Sequence, residues 1–194
     1  MGSKKRSDQN LAWIDLEMTG LDNAHDAIIQ AALIVTDGEL NAIDEYACDI
    51  WQPESELSKM SPFVRDMHEK NGLIERVRKS RVDLREAQRQ LLSRVSALCP
   101  NPAVLCGNSI WVDRGFIDRY MPALGGYMHY RMLDVTAVRM TMERFFGPQA
   151  LFSKPAEGEH DALVDIRNSI NELKHYRAVM TPPTNAVSPR TPND

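Results

Sequence analysis

Residues 11–17, LAWIDLE, form an apolar run with two acids, Asp15 and Glu17, set into it two positions apart. As a strand, this stretch puts Trp13, Asp15 and Glu17 on one face and Ile14 and Leu16 on the other. Two further apolar runs follow in AIIQAALIVTDGELNAIDEYACDI, and Asp37-Gly38 between them predicts a type I′ hairpin turn. In MSPFVRDMHEKNGL, Ser61 as N-cap, Pro62 in the first turn and Gly72 after the end predict a short helix. Asp83 opens a longer amphipathic helix that runs to about Cys99, where Pro100 and Pro102 stop it. AVLCG, 103–107, reads as a short buried strand ending, like the first, near a glycine. Then come a helix over about 113–121, a strand near 132–135 and a helix over 137–146. The last helix spans 160 to about 180, with Leu163, Ile166, Ile170, Leu173 and Tyr176 near helical spacing. Three hairpin-forming strands followed by alternating helices and strands imply an α/β fold, a mixed sheet with helices packed on it.

Length and composition make this a single folded domain. The chain has 194 residues, of which 43% are apolar and 26% charged. Residues 1–10 read as a flexible lead, 11–180 as the domain, and the tail 181–194, with four prolines, as disordered. No apolar run approaches the ~20 residues of a membrane span, so no membrane partner is expected. The basic start, MGSKKRSDQN, lacks the apolar core of a signal peptide. Cys48, Cys99 and Cys106 are odd in number and lack metal-type spacing, which predicts free thiols and a cytoplasmic location. The net charge of −4 argues against a protein that tracks a long phosphate backbone. A nucleic-acid substrate would be short, or gripped through metal ions.

The acids carry the candidate chemistry. Asp15 and Glu17 stand roughly 6–7 Å apart along a strand that breaks abruptly at Gly20. An acidic strand face is often simply solvated. At a strand end, however, carboxylates also point into clefts, where a hard cation lets both stay ionised. Asp113 follows the second glycine-ended strand at a helix start, a place that favours acids in any case. His160 and Asp165, in HDALVD, are five residues apart, about 140° around a regular helix. They converge only if His160 lies at or before the first turn.

Taken in order, Asp15, Glu17, Asp113, His160 and Asp165 resemble the Asp-Glu-Asp-Asp exonucleases of the branch with a histidine base. DLEMTGLD, GNS, HYRMLDVT and HDALVD narrow the likeness to the oligoribonucleases, over residues 11–180. The resemblance implies a ribonuclease-H-like fold and 3′→5′ removal of nucleotides from short RNAs of about two to five nucleotides, dinucleotides above all. It implies two divalent cations, Mg²⁺ or Mn²⁺, at Asp15, Glu17, Asp113 and Asp165, with His160 as the base. It also implies bases packed between Leu21 and Phe63, His68 near the substrate, and Ser109, Arg131 and Thr136 around a 5′ phosphate. Tyr130 resembles a tyrosine that reaches the partner's site in a homodimer.

Five positions depart from that pattern. Gln30 stands in place of glutamate, Trp111-Val112 is bulkier than usual, Asp161 follows the histidine, and Val164 replaces an acid. Asp161, if close to His160, favours its protonated form. Three other readings remain: a related exonuclease of longer RNA or DNA, a non-catalytic binding member, and a doubly wound nucleotide-binding enzyme. All four metal carboxylates are present, against the second. MTGLDNAHD is not the glycine-rich phosphate loop that the third requires.

Overall fold

The computed structural model describes residues 5–154 and 161–181. Five strands form one mixed sheet: β1 (Leu11–Met18), β2 (Ile28–Thr36), β3 (Ala42–Asp49), β4 (Ala103–Gly107) and β5 (Met128–Asp134). Their order is β3-β2-β1-β4-β5. β1 pairs antiparallel with β2 and parallel with β4, so the acid-bearing strand lies at the centre. Among the described residues, eight α-helices surround the sheet: α1 (Glu54–Leu57), α2 (Pro62–Lys70), α3 (Leu73–Lys79), α4 (Leu84–Leu98), α5 (Trp111–Tyr120), α6 (Pro122–Gly125), α7 (Val135–Phe146) and α8 (Ala162–Met180).

The period-two alternation of β1 separates two cores. Ala12, Ile14 and Leu16 pack with Leu91 and Val95 of α4 and Phe116 and Ile117 of α5. Trp13 faces the other way, among Val135 and Met142 of α7 and Ile166, Ile170 and Tyr176 of α8. Asp15 and Glu17 therefore continue a face covered by helices, not a face open to water. All nine residues of β2 are buried, as expected of a strand covered on both sides. Its near-continuous apolar run has that cause.

The helix starts follow the local chemistry. Ser61 accepts a hydrogen bond from Val64 N–H at 3.3 Å, and Asp83 from Glu86 N–H at 2.8 Å. Gly72, in the left-handed region at φ 72°, turns the chain from α2 into α3, a helix the sequence pattern did not predict. Nor did it predict the one-turn helices α1 and α6, which are too short to show a period. β5 begins four residues earlier than expected, because Met128 pairs with Ala103.

Two expectations need correcting. The β2–β3 connection is a loop over 37–41, not a two-residue turn at Asp37-Gly38. The Asp37 carboxylate accepts from the N–H groups of Glu39 and Asn41, both at 2.9 Å. Leu40 takes the left-handed conformation at φ 65° and is 4% exposed. Burying a leucine gains ~1.5–3 kcal/mol, enough to offset the ~1–2 kcal/mol cost of that backbone. Residues 5–10, expected to be flexible, are tied to the end of α4. Ser7 N–H and Asn10 Nδ2 both donate to Leu98 O, at 3.1 and 2.9 Å, filling a helix-terminal carbonyl.

Among the described residues, no helix is long and apolar enough to cross a membrane. Cys48, Cys99 and Cys106 are free thiols. The expected disordered tail from 182 onward lies outside the described residues.

Candidate active site

The site forms where β1 runs out beneath the start of α8. The β1–β2 register shifts between Glu17 and Met18, ending regular pairing beside the second acid. The chain then folds over Asp26, which accepts from Thr19 Oγ1 at 3.1 Å and from Asp22 N–H at 2.9 Å. Gly20 permits this closure, since a Cβ there would collide with the Asp26 carboxylate. α8 packs on β1 and β2, and Asp161 caps it by accepting from Leu163 and Val164 N–H at 3.2 and 3.3 Å. One turn further on, Asp165 meets the strand acids. One carboxylate oxygen each from Asp15, Glu17 and Asp165 lies within 4.8 Å of the other two.

Asp113 joins from the other side of the sheet. Gly107 ends β4 where an added Cβ would crowd Ile14 O and Ile110, and the chain then turns into α5. In the first turn of that helix, Asp113 is 6% exposed, and its Oδ1 accepts from Leu16 N–H at 3.0 Å.

Such a cluster resists ionisation. Burial pushes the Asp15 carboxyl well above its usual range, and the charges of Asp113, Glu17 and Asp165 push it further, against the pull of Lys154. Burial, followed by Asp165, Asp113 and Asp161, raises Glu17 to about 8. Burial likewise raises Asp113 to about 7, opposed by its hydrogen bond from Leu16. Near neutral pH these groups cannot all be charged unless a cation compensates them. Convergent carboxylate oxygens are the donor set of a hard divalent ion, so the residues present fit such a metal.

Next to the acids is a polar network. Ser109, at φ 48°, donates its N–H to Thr136 Oγ1 at 2.9 Å and to Asp134 Oδ1 at 3.0 Å. Thr136 Oγ1 in turn donates to Asn108 Oδ1 at 3.1 Å. Asn108 Nδ2 donates to Ser169 Oγ at 2.8 Å and to Glu172 Oε2 at 3.2 Å, both on α8. Glu172 is fully buried and also accepts from Tyr176 OH at 2.8 Å and Arg139 Nη1 at 3.4 Å. The helix that carries Asp165 is thereby joined to the Ser109–Thr136 pair.

A family model described as exonuclease matches residues 12–173. Oligoribonuclease from Vibrio vulnificus is 47% identical over 173 residues, covering 88% of this chain and 95% of the relative. Oligoribonuclease from Mycobacterium avium is 44% identical over 184 residues, covering 92% and 85%. This chain belongs to the oligoribonuclease family of exonucleases. Exonuclease I from Methylocaldum szegediense shares the fold, with a TM-score of 0.65 at 19% identity, over 88% of this chain and 41% of that one. A metal-free Escherichia coli exonuclease I–ssDNA complex gives 0.66 at 16% identity, over 88% and 40%. The family's ribonuclease-H-like sheet is thus the one described above.

The remaining residues expected from the oligoribonuclease pattern are placed unevenly. Leu21 and Phe63 are 77% and 78% exposed. Ser109 and Thr136 meet directly, with their hydroxyls 3.2 Å apart. Arg131 has a different neighbour: its guanidinium lies over the Tyr130 ring, 5.1 Å from the centroid. Tyr130 is itself exposed and stacks on His129. His68 is the residue expected near the substrate. It is fully buried, with Nε2 3.2 Å from Met18 O and 3.9 Å from a Glu17 carboxylate oxygen. The last turn of α2 packs it against the acid. His160 lies outside the described residues.

The departures are absorbed without loss of the acids. Trp111 is 66% exposed at the start of α5, while Val112 packs into the core. Asp161 is the α8 cap. The sequence reading missed Asn108, Lys154 and Glu172. Asn108 lay within the GNS motif, but an acid or lysine with no motif around it reads as solvated surface.

Proposed function

We propose that this protein is a 3′→5′ exoribonuclease of short RNAs, about two to five nucleotides long and dinucleotides above all, releasing mononucleotides. The observation that carries the reading is the convergence of Asp15, Glu17 and Asp165 oxygens within 4.8 Å, with Asp113 hydrogen-bonded to the intervening Leu16. Two divalent cations bound there, Mg²⁺ or Mn²⁺, would neutralise the carboxylates and stabilise both the attacking and the leaving oxygen of an in-line displacement.

The chain's own residues do the rest. His160, two positions ahead of α8, accepts a proton from the attacking water. The water oxygen bonds to phosphorus as the bond to the 3′ oxygen breaks. Leu21 and Phe63 offer exposed apolar surface on which bases pack. Ser109 offers its hydroxyl to a 5′ phosphate, Thr136 does so once it leaves Asn108, and Arg131 adds a planar fork of donors once it leaves Tyr130. His68 acts through Glu17, which it supports from behind. The net charge of −4 favours a substrate held by its end over one held along its backbone. Exposed Tyr130 enters the site of a second copy in a homodimer. Three free thiols suit the cytoplasm.

Turnover of labelled RNAs of two to ten nucleotides, with Mg²⁺, Mn²⁺ or chelator, tests this. The expected result is metal-dependent cleavage fastest at two nucleotides. Equal rates at every length, or activity in chelator, would overturn it.

A further inference from the structure

Gln30 stands where the family pattern has glutamate, and the structure gives its amide a use that an ionised carboxylate does not have. Gln30 pairs with Glu17 across β1 and β2, so the two side chains share a face, and it is 5% exposed. Its Oε1 accepts from Ala162 N–H at 3.1 Å. Its Nε2 donates to Asp49 Oδ1 on β3 at 2.8 Å. The other oxygen of Asp49 accepts from Arg76 Nε of α3 at 3.1 Å.

We propose that Gln30 is a positioning residue for the acidic cluster, locking the start of α8 to the sheet so that Asp165 meets Asp15 and Glu17. This rests on the reading that the cluster holds divalent metal. Ala162 is the first residue of α8, and its N–H has no acceptor within the helix. Asp161 serves the next two N–H groups, but it belongs to the same segment and cannot fix the helix against the sheet. Gln30 can, because it projects from β2. Asp165 follows Ala162 by three residues, about 4.5 Å along the axis, so a slip of the helix end moves its carboxylate by nearly the same amount.

The polarity matters as much as the reach. One end of the Gln30 side chain must accept and the other must donate. An ionised glutamate would satisfy Ala162 but face the Asp49 carboxylate with no proton between them. It would also add a charge beside Glu17, which already resists ionisation.

The test is Mn²⁺ titration of the full chain by calorimetry, alongside steady-state cleavage of a dinucleotide. In Gln30→Met, Mn²⁺ affinity should fall about tenfold and kcat should fall more than KM rises, since supporting partners of metal ligands typically contribute 10–100-fold. Gln30→Glu should lower kcat at least as far. The double variant Gln30→Glu/Asp49→Asn should recover part of the loss, because donor and acceptor have exchanged places, while the charge beside Glu17 remains. Mn²⁺ affinity in Gln30→Met within twofold of the parent, with only a lower melting temperature, would overturn the proposal. A double variant no better than Gln30→Glu would do the same, and keeps the proposal open to refutation if the methionine variant does not fold. Asp15→Ala serves as the control. If it binds Mn²⁺ as the parent does, the metal reading itself fails and takes this inference with it.

Discussion

Asp113 Oδ1 accepts a hydrogen bond from the backbone N–H of Leu16 at 3.0 Å, and Leu16 is the residue between Asp15 and Glu17. The bond ties a helix-start carboxylate to the strand at the point where its two acids emerge. It separates two contributions of Asp113, a structural acceptor and a charge. In Asp113→Asn the amide oxygen can keep the bond while the charge is lost. We expect a melting temperature close to the parent's and a fall in kcat of about 10²–10³, the range seen when one electrostatic group is removed from an active site. Parallel melting curves and dinucleotide turnover check this.

The buried acids make the metal-free protein sensitive to pH in a defined direction. Glu17 ionises near 4.5 when unfolded and at about 8 when folded. Between those values the folded state holds the extra proton, so stability falls as pH rises. The contribution is complete below about 4.5 and gone above about 8; Asp113, at about 7 in the fold, acts in the same sense. In EDTA the melting temperature should drop from pH 5 to pH 8.5, and saturating Mn²⁺ should flatten or reverse the slope. A metal-free profile that is level or rising would contradict the raised values.

Phe63 and Leu21 are exposed, so replacing them should cost the fold little. Surface substitutions usually stay within about 0.5 kcal/mol. If each packs a base worth ~1–3 kcal/mol, Phe63→Ala should raise KM for a dinucleotide roughly five- to a hundredfold. Unchanged KM in Phe63→Ala would remove that side chain from the substrate site.

Glu172 presents the opposite case. It is buried with Asn108, Tyr176 and Arg139 around it, and none of these contacts is with the clustered acids Asp15, Glu17, Asp113 and Asp165. Glu172→Ala leaves buried donors without an acceptor and should cost about 3–5 kcal/mol, read as a lower urea midpoint. Glu172→Gln keeps an acceptor and should lose less.

Arg131→Ala should slow cleavage of a 5′-phosphorylated dinucleotide far more than that of a seven-nucleotide RNA, whose corresponding phosphate is a bridging diester. A charge-assisted contact of ~1.5–3 kcal/mol corresponds to about ten- to a hundredfold in kcat/KM. Mixing inactive Asp15→Ala with inactive Tyr130→Ala chains should recover part of the activity, since some mixed dimers hold one complete site. A dead mixture after verified subunit exchange would exclude the shared site.

Most of the secondary structure was legible along the chain because its signals are local. Ser61 and Asp83 act within three residues of themselves, and the alternation in LAWIDLE needs only a pleat. The same alternation placed Asp15 and Glu17 on the face of Trp13, and motif order picked out Asp113 and Asp165. Tertiary structure decided what that face meets. Whether two strand acids are solvated or buried depends on α8, more than a hundred residues away, and on Asp113 reaching Leu16 across 97 positions. The fate of Asp37-Gly38 turned on Leu40, whose burial among α8 residues no local rule contains. The motif pattern placed His68 near the substrate and passed over Glu172, and only packing buried one against Glu17 and the other among its donors. Dihedral preferences and caps act between chain neighbours, whereas burial and charge act between neighbours in space.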